Sequence, residues 1–241
     1  WMVALLTLQS DGRYLFQCGG SMITNKAILT AAHCVDNERN ARWYQPSDQP
    51  VPYQTANVKT IVIHPQFYSS ALFNDIAVVI LHDPVKQSVN VAPICVPQQG
   101  LIFPTGTRCI GIGWGKNSKV ELPIVDRNDC QNRLRTTKLG QYFQLHGSFM
   151  CAGGEENKDT CRGDGGGPLV CPTVAICLHE KINPSIKEGT AGIVSWGIGC
   201  GTSNVPAVYT NVAQYIQWIE QQLATYGANV PVSSLPIAVI V

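Results

Sequence analysis

Ten cysteines are spread along the 241 residues, and no two of them form a C-x-x-C pair. Structural zinc sites use closely spaced thiolates, so this spacing disfavours one. An even number spread so widely implies disulfide bonds, which persist in an oxidising compartment. The five histidines, at 33, 64, 82, 146 and 179, include no pair at helical metal-ligand spacing. No metal or cofactor is expected.

Between the cysteines the chain alternates short apolar, β-branched runs with turn residues. Met2–Leu8, Ser21–Thr24, Ala27–Thr30, Val58–Ile63, Ile76–Leu81, Thr107–Gly113, Pro168–Val170, Thr190–Ser195 and Ala207–Thr210 all read this way. Many short strands at regular intervals predict an all-β barrel or sandwich. Helical periodicity is confined to a basic stretch near Asn128–Leu139 and to Val212–Tyr226, where residues 212, 215, 216, 219 and 223 share one apolar face. The basic stretch, with Arg127, Arg133, Arg135 and Lys138, reads as a solvated helix face. The length suits one large or two small cores.

Charged residues are only 14% of the chain and the formal net charge is +1. Neither nucleic acid nor an anionic membrane is an expected partner. No signal peptide, long apolar run or lipidation motif is present. The chain opens at Trp1 inside an expected strand, which suggests a mature or trimmed segment of a secreted protein. No Asn-x-Ser/Thr site free of proline occurs, so N-glycosylation is not expected. The last 14 residues, Ala228–Val241, are apolar and too short to span a bilayer. They are expected to lie on the protein's own surface or on a partner, and an ordered tail packed on its own domain is the plainer reading.

Three fragments carry chemistry. "TAAHC" (30–34) offers His33 beside a cysteine that a disulfide could pin. "NDIAVVIL" (74–81) offers Asp75 at the mouth of a strand buried on both sides. "CRGDGGGPLV" (161–170) offers a glycine-rich turn whose backbone N–H groups can point at an anion. Acyl transfer by a hydroxyl needs a base, a buried carboxylate to orient that base, and N–H groups for the oxyanion. Each fragment alone is weak, since a lone His or a lone Asp is more often structural. In this order and with these neighbours the chain resembles the chymotrypsin/trypsin family of serine proteases over about residues 1–226.

The resemblance implies two six-stranded antiparallel β-barrels, a cleft between them, and a C-terminal helix. Residues 1–227 would form this domain and 228–241 the tail. It further implies His33 as general base, Asp75 as its orienting carboxylate, and Gly163 and Gly165 as the oxyanion-hole positions. Asp164 would accept the amine freed when a zymogen is cut. Asp159 would sit at the base of a specificity pocket for Arg or Lys. Ser195, Trp196 and Gly197 would line the substrate backbone, with Ala207 in the pocket wall. The disulfides it implies are Cys18–Cys34, Cys109–Cys171, Cys130–Cys151 and Cys161–Cys200. Cys95 and Cys177 are left open, either paired together or holding an upstream segment.

The chain departs from the pattern at the decisive point. The nucleophile position holds Gly165, so there is no Oγ and the acyl-enzyme route is closed. Loss of such a nucleophile costs about 10⁶-fold in turnover. Ala207 stands where trypsin-like enzymes usually have glycine, which narrows the pocket. Retention of His33 and Asp75 does not by itself imply chemistry, because removing either partner strands the other. The Ile-Val-Gly-Gly activation terminus is absent. The family usually has a loop roughly ten residues longer between residues 115 and 122, and omission of residues there is expected rather than a true deletion.

"GGEENKDTC", "GDGGGPLVCP" and "RTTKLGQYFQLH" are similar to arthropod clip-domain serine protease homologues, a noncatalytic group. That likeness implies secretion into haemolymph, a clip domain upstream of Trp1, and partnership with prophenoloxidase and its activating serine protease in melanisation. Two other readings stay open: an active trypsin-like endopeptidase held as a Ser-to-Gly variant, and a microbe-binding or adhesive module. Self-association is also left open.

Overall fold

The computed structural model describes residues 1–9, 11–36, 54–88, 90–114, 119–176, 185–227 and 237–240. Strands β1 (Met2–Leu8), β2 (Tyr14–Thr24), β3 (Ala27–Thr30), β4 (Thr55–Ile63) and β5 (Ala77–Leu81) supply five staves of a first barrel. All five residues of β5 are buried, as are all four of β3. A strand with both faces covered is apolar almost throughout; AVVIL is, and the one polar residue of AILT, Thr30, donates its hydroxyl to the Gly19 carbonyl at 2.8 Å.

A short β6 (Val96–Pro97) leads into the second half: β7 (Arg108–Ile112), β8 (Lys119–Val125), helix α1 (Arg127–Arg135), β9 (Phe149–Gly153), β10 (Pro168–Ile176), β11 (Ser185–Trp196) and β12 (Pro206–Asn211). These strands hydrogen-bond in the order β11-β12-β9-β8-β7-β10-β6, and a further pairing of β10 with β11 links the first strand of the row to the last but one, leaving β6 beyond β10. Helix α2 (Ile216–Gly227) follows, and β13 (Ile237–Ile240) comes last.

The tail departs from expectation. β13 does not lie on the surface as an appendage; it is the sixth stave of the first barrel, in the closed order β1-β13-β4-β5-β3-β2. It pairs antiparallel with β1 through Ala4↔Ile240 to Thr7↔Ile237, and with β4 through Ala238↔Asn57 to Ile240↔Thr55. An apolar strand satisfies its backbone groups best between two neighbours. Ile112 at the end of β7 pairs with Lys119 at the start of β8.

The cores are joined. Val170 and Ile193 of the second half pack with Val78, Ile28 and Leu29 of the first barrel, and Ile216 and Ile219 of α2 join them. A second cluster around Leu122, Leu169, Ala191 and Tyr209 fills the other barrel. Helix α1 starts at Asp126, whose carboxylate accepts the N–H groups of Asn128 and Asp129, and buries Cys130 and Leu134 one turn apart. Its arginines are not a free solvated face. Arg127 donates to the carbonyls of Phe149 and Leu145, Arg135 to that of Phe143, and Arg133 to Asp129. Arg127 and Arg135 thereby hold the segment that follows the helix, while Arg133 pairs within the helix.

Four disulfides join Cys18–Cys34, Cys109–Cys171, Cys130–Cys151 and Cys161–Cys200. Cys95 is also disulfide-bonded, and Cys177 lies outside the described residues.

Candidate functional site

His33 sits in a one-turn 3₁₀ helix (Ala32–Cys34) that directly follows β3, and Asp75 lies two residues before β5. Because β3 and β5 are hydrogen-bonded neighbours, with Thr30 opposite Ala77, their adjoining ends bring the two side chains together. His33 Nδ1 donates to Asp75 Oδ2 at 2.7 Å, and the His33 backbone N–H donates to Asp75 Oδ1 at 2.9 Å. Asp75 is fully buried while the imidazole is about one-fifth exposed.

The second half completes this network. Ser195 Oγ donates to Asp75 Oδ2 at 2.6 Å, and Thr210 Oγ1 donates to the Asp75 carbonyl at 2.8 Å. A bulge in β11 between Val194 and Trp196 breaks the regular alternation just where Ser195 turns toward the seam. Buried polar groups need hydrogen-bond partners, and Asp75 has them from both barrels.

Gly165 lies opposite the imidazole. A Cβ at this position would stand 3.3 Å from His33 Nε2 and 3.8 Å from Cys18 Sγ. His33 Nε2, which also lies 3.6 Å from Cys34 Sγ, therefore faces the place where a residue 165 side chain would be. The Gly165 carbonyl accepts the Gly19 N–H at 2.8 Å, another bond across the seam. The sulfurs of Cys18 and Cys34 are close enough to His33 to form a donor cluster. They are bonded to each other, so they offer no thiolate for a metal.

The turn before Gly165 is tight. Asp164 is fully buried and its Oδ2 accepts the Cys161 N–H at 2.8 Å, while its own N–H donates to the Cys161 carbonyl. A Cβ on Gly113 would fall 1.9 Å from Asp164 Oδ1, so only glycine fits in the GWG segment beside it. Gly163 lies in this same turn.

Asp159 is 6% exposed. Its Oδ2 accepts the Gly201 N–H at 2.9 Å, and its Oδ1 has no hydrogen-bond partner. Burial raises its pKa above the usual carboxylate value, against the pull of the Gly201 and Thr160 N–H groups. Next to it, Thr160 Oγ1 and the Tyr209 hydroxyl share a hydrogen bond, and burial pushes the Tyr209 phenol up. Ala207 is buried in β12. Trp196 is half-buried and packs edge-on against Phe143 and Phe149, while Gly197 is exposed just beyond the end of β11. Thus Arg135 and Arg127, through the carbonyls of Phe143 and Phe149, steady the rings that hold Trp196.

Sequence reasoning missed the hydroxyls of Ser195 and Thr210 as ligands of Asp75. Nothing in the pattern separates them from other buried strand hydroxyls.

Two β-barrels meeting over a buried carboxylate–imidazole pair define a protein of the chymotrypsin-like class. The family model described as Trypsin matches residues 1–219, and the chain belongs to the trypsin family. It is 41% identical over 253 residues to phenoloxidase-activating factor 2 of Galleria mellonella, an alignment covering 94% of this chain and 81% of that protein. It is 36% identical over 248 residues to inactive CLIP domain-containing serine protease A28 of Anopheles gambiae, covering 95% of this chain and 62% of that protein. It is 33% identical over 252 residues to phenoloxidase-activating factor 3 of Holotrichia diomphalia, covering 92% and 68%.

Proposed function

We propose that the protein is a noncatalytic serine protease homologue that acts as a binding cofactor in an extracellular proteolytic cascade leading to prophenoloxidase activation. One observation carries the inactive half of this reading. The His33 Nε2 faces Gly165, a residue with no atom to deprotonate. The base and its carboxylate are retained because each satisfies the other and because Asp75 ties the barrels together.

The cofactor half is supported by the likeness to proteins named as phenoloxidase-activating factors and as inactive CLIP-domain proteases. Its partners on this reading are prophenoloxidase, the activating serine protease and an upstream clip domain. Its disulfides accord with secretion. Asp159 is read as a retained pocket acid, with the oxyanion positions Gly163 and Gly165 and the buried Asp164 as inherited scaffold.

The test is a reconstitution of prophenoloxidase with its activating protease, with and without this protein. Phenoloxidase activity is expected to rise only when it is present; equal activity in both would overturn the cofactor role. Alongside it, Gly165→Ser is expected to leave turnover of Arg-containing peptide amides at a small fraction of a typical family rate. The restored hydroxyl would meet His33, yet the Asp164 turn is engaged by Cys161, and about 1 Å of misplacement costs on the order of a hundredfold. A revertant with full trypsin-like turnover would show that only the nucleophile was lost.

A further inference from the structure

Cys18, His33 and Cys34 bring two sulfurs and an imidazole nitrogen within 4.8 Å of one another, and among the described residues this is the one such group of potential metal ligands. In the oxidised protein the two sulfurs are bonded to each other. Three features prepare the group for a metal once that bridge is opened. The first is the tautomer. His33 Nδ1 lies 2.7 Å from Asp75 Oδ2, an acceptor, so Nδ1 carries the proton and Nε2 keeps its lone pair. A carboxylate behind the imidazole is the common orienting partner of a metal-bound histidine. The second is spacing. Nε2 lies 3.6 Å from Cys34 Sγ. Tetrahedral zinc, with bonds of about 2.05 Å to nitrogen and about 2.3 Å to sulfur, sets those two ligand atoms about 3.6 Å apart. The third is room. A Cβ on Gly165 would stand 3.3 Å from Nε2 and 3.8 Å from Cys18 Sγ, and one on Gly166 would stand 3.0 Å from Cys34 Sγ. Both residues are glycine, so no side chain takes that space.

We propose that in its dithiol form this group is a binding site for a thiophilic divalent cation such as Zn²⁺, held by Cys18 Sγ, Cys34 Sγ and His33 Nε2 with the fourth position left to water. A dithiol reductant supplies two electrons and two protons. The Cys18–Cys34 S–S bond breaks, two thiols form, and the reductant leaves as its own disulfide. The cation then binds the two sulfurs as thiolates, and their two protons go to solvent. The cation binds only the opened form, so it favours opening by mass action. At a free concentration 100 times its dissociation constant, the opened fraction rises about 100-fold. Cys109–Cys171, Cys130–Cys151 and Cys161–Cys200 have no third ligand in a comparable cluster, so the cation does not favour their opening. The covalent link between β2 and the 3₁₀ helix of His33 is thereby exchanged for a metal clip that also fixes the imidazole.

The experiment treats the folded, oxidised protein with graded amounts of a water-soluble phosphine under anaerobic conditions, with and without zinc chloride. The phosphine supplies the same two electrons and takes up an oxygen from water. After chelation the released thiols are alkylated and located by peptide mass spectrometry. With zinc, Cys18 and Cys34 are expected to be released before the cysteines of the other three described bridges, and about one zinc per chain to survive desalting. Cobalt(II) in place of zinc is expected to give thiolate-to-metal charge-transfer absorption. His33→Ala removes the nitrogen ligand, and Gly165→Val fills the space beside it while leaving both cysteines in place. Each is expected to weaken zinc binding by at least about tenfold. Zinc held as tightly by either variant as by the wild type would overturn the site. So would earlier opening of another described bridge, equal release of Cys18 and Cys34 with and without zinc, or a Cys18–Cys34 bridge that stays closed until the protein unfolds.

Discussion

The two barrels solve the same closure problem with different amounts of local help. The second is built from β7 to β12, consecutive in the chain between Arg108 and Asn211. Three disulfides, Cys109–Cys171, Cys130–Cys151 and Cys161–Cys200, fall within or directly beside it. The first takes five strands from Met2–Leu81, a sixth from Ile237–Ile240 and, among the four described bridges, one disulfide, Cys18–Cys34. The half that carries His33 and Asp75 is thus the half that depends on a distant strand. The half that carries Gly165, Asp159 and the Asp164 turn is the more heavily cross-linked. Loop closure over a long separation is costly, and cross-links reduce that cost by restricting the unfolded chain.

The largest expected effects come from opening one bridge in each barrel. Cys109 and Cys171 are separated by 62 residues and Cys18 and Cys34 by 16. The chain-entropy relation then gives a loss of about 4 kcal/mol for the Cys109→Ser/Cys171→Ser pair and about 3 kcal/mol for Cys18→Ser/Cys34→Ser. Urea unfolding of the two double variants measures both. The comparison sharpens if the loss is larger in the second barrel. It breaks if opening Cys18–Cys34 costs more, because the first barrel would then rest on its single bridge more heavily than loop length allows.

A smaller effect is expected at the seam. Asp75 accepts from His33 of the first barrel and from Ser195 of the second. Asp75→Asn keeps the shape but leaves donors without a full acceptor, and is expected to cost about 1–3 kcal/mol. A double-mutant cycle of His33→Ala with Ser195→Ala asks whether the barrels are coupled through this carboxylate. Coupling of roughly 0.5–3 kcal/mol is expected for residues sharing one network. Strict additivity would mean that the barrels meet here without depending on each other.

How much of this was legible in the sequence differs between the same two regions. His33, Asp75 and Gly165 could be read because each lies in a short, apolar, sharply bounded segment. The eight cysteines of the four described bridges fitted the resemblance to the family frame. The strand at Ile237–Ile240 could not be read. A four-residue apolar run shows no alternation, and its partners at residues 4–7 and 55–57 lie at the opposite end of the chain. The roles of Arg127 and Arg135 were hidden for a related reason. Helical periodicity reports which face is apolar, not which loop carbonyls a long side chain will reach.

The smallest expected effect concerns Asp159 and gives the comparison a pH axis within the second barrel. This carboxylate is buried, keeps one oxygen without a hydrogen-bond partner, and has its pKa raised chiefly by desolvation. A carboxyl with a folded pKa above its unfolded value favours the fold most when both states are protonated. That contribution is lost as pH rises from the ordinary carboxylate range through the raised folded value. Above that raised folded value the wild-type fold carries a buried charge that costs stability. Asp159→Asn removes the charge, and its amide oxygen can still accept the Gly201 N–H. The substitution is expected to stabilise the protein on the alkaline side of that folded value, where the wild-type side chain is charged. Its advantage should shrink toward zero as pH falls below the ordinary carboxylate range, where the wild-type side chain is neutral as well. Urea unfolding of both proteins across that pH range measures the difference directly. A destabilised Asp159→Asn protein on the alkaline side would mean that the second oxygen of Asp159 has a cationic partner in solution. The extra cross-links of the second barrel would then be holding an occupied pocket rather than an unpaired charge.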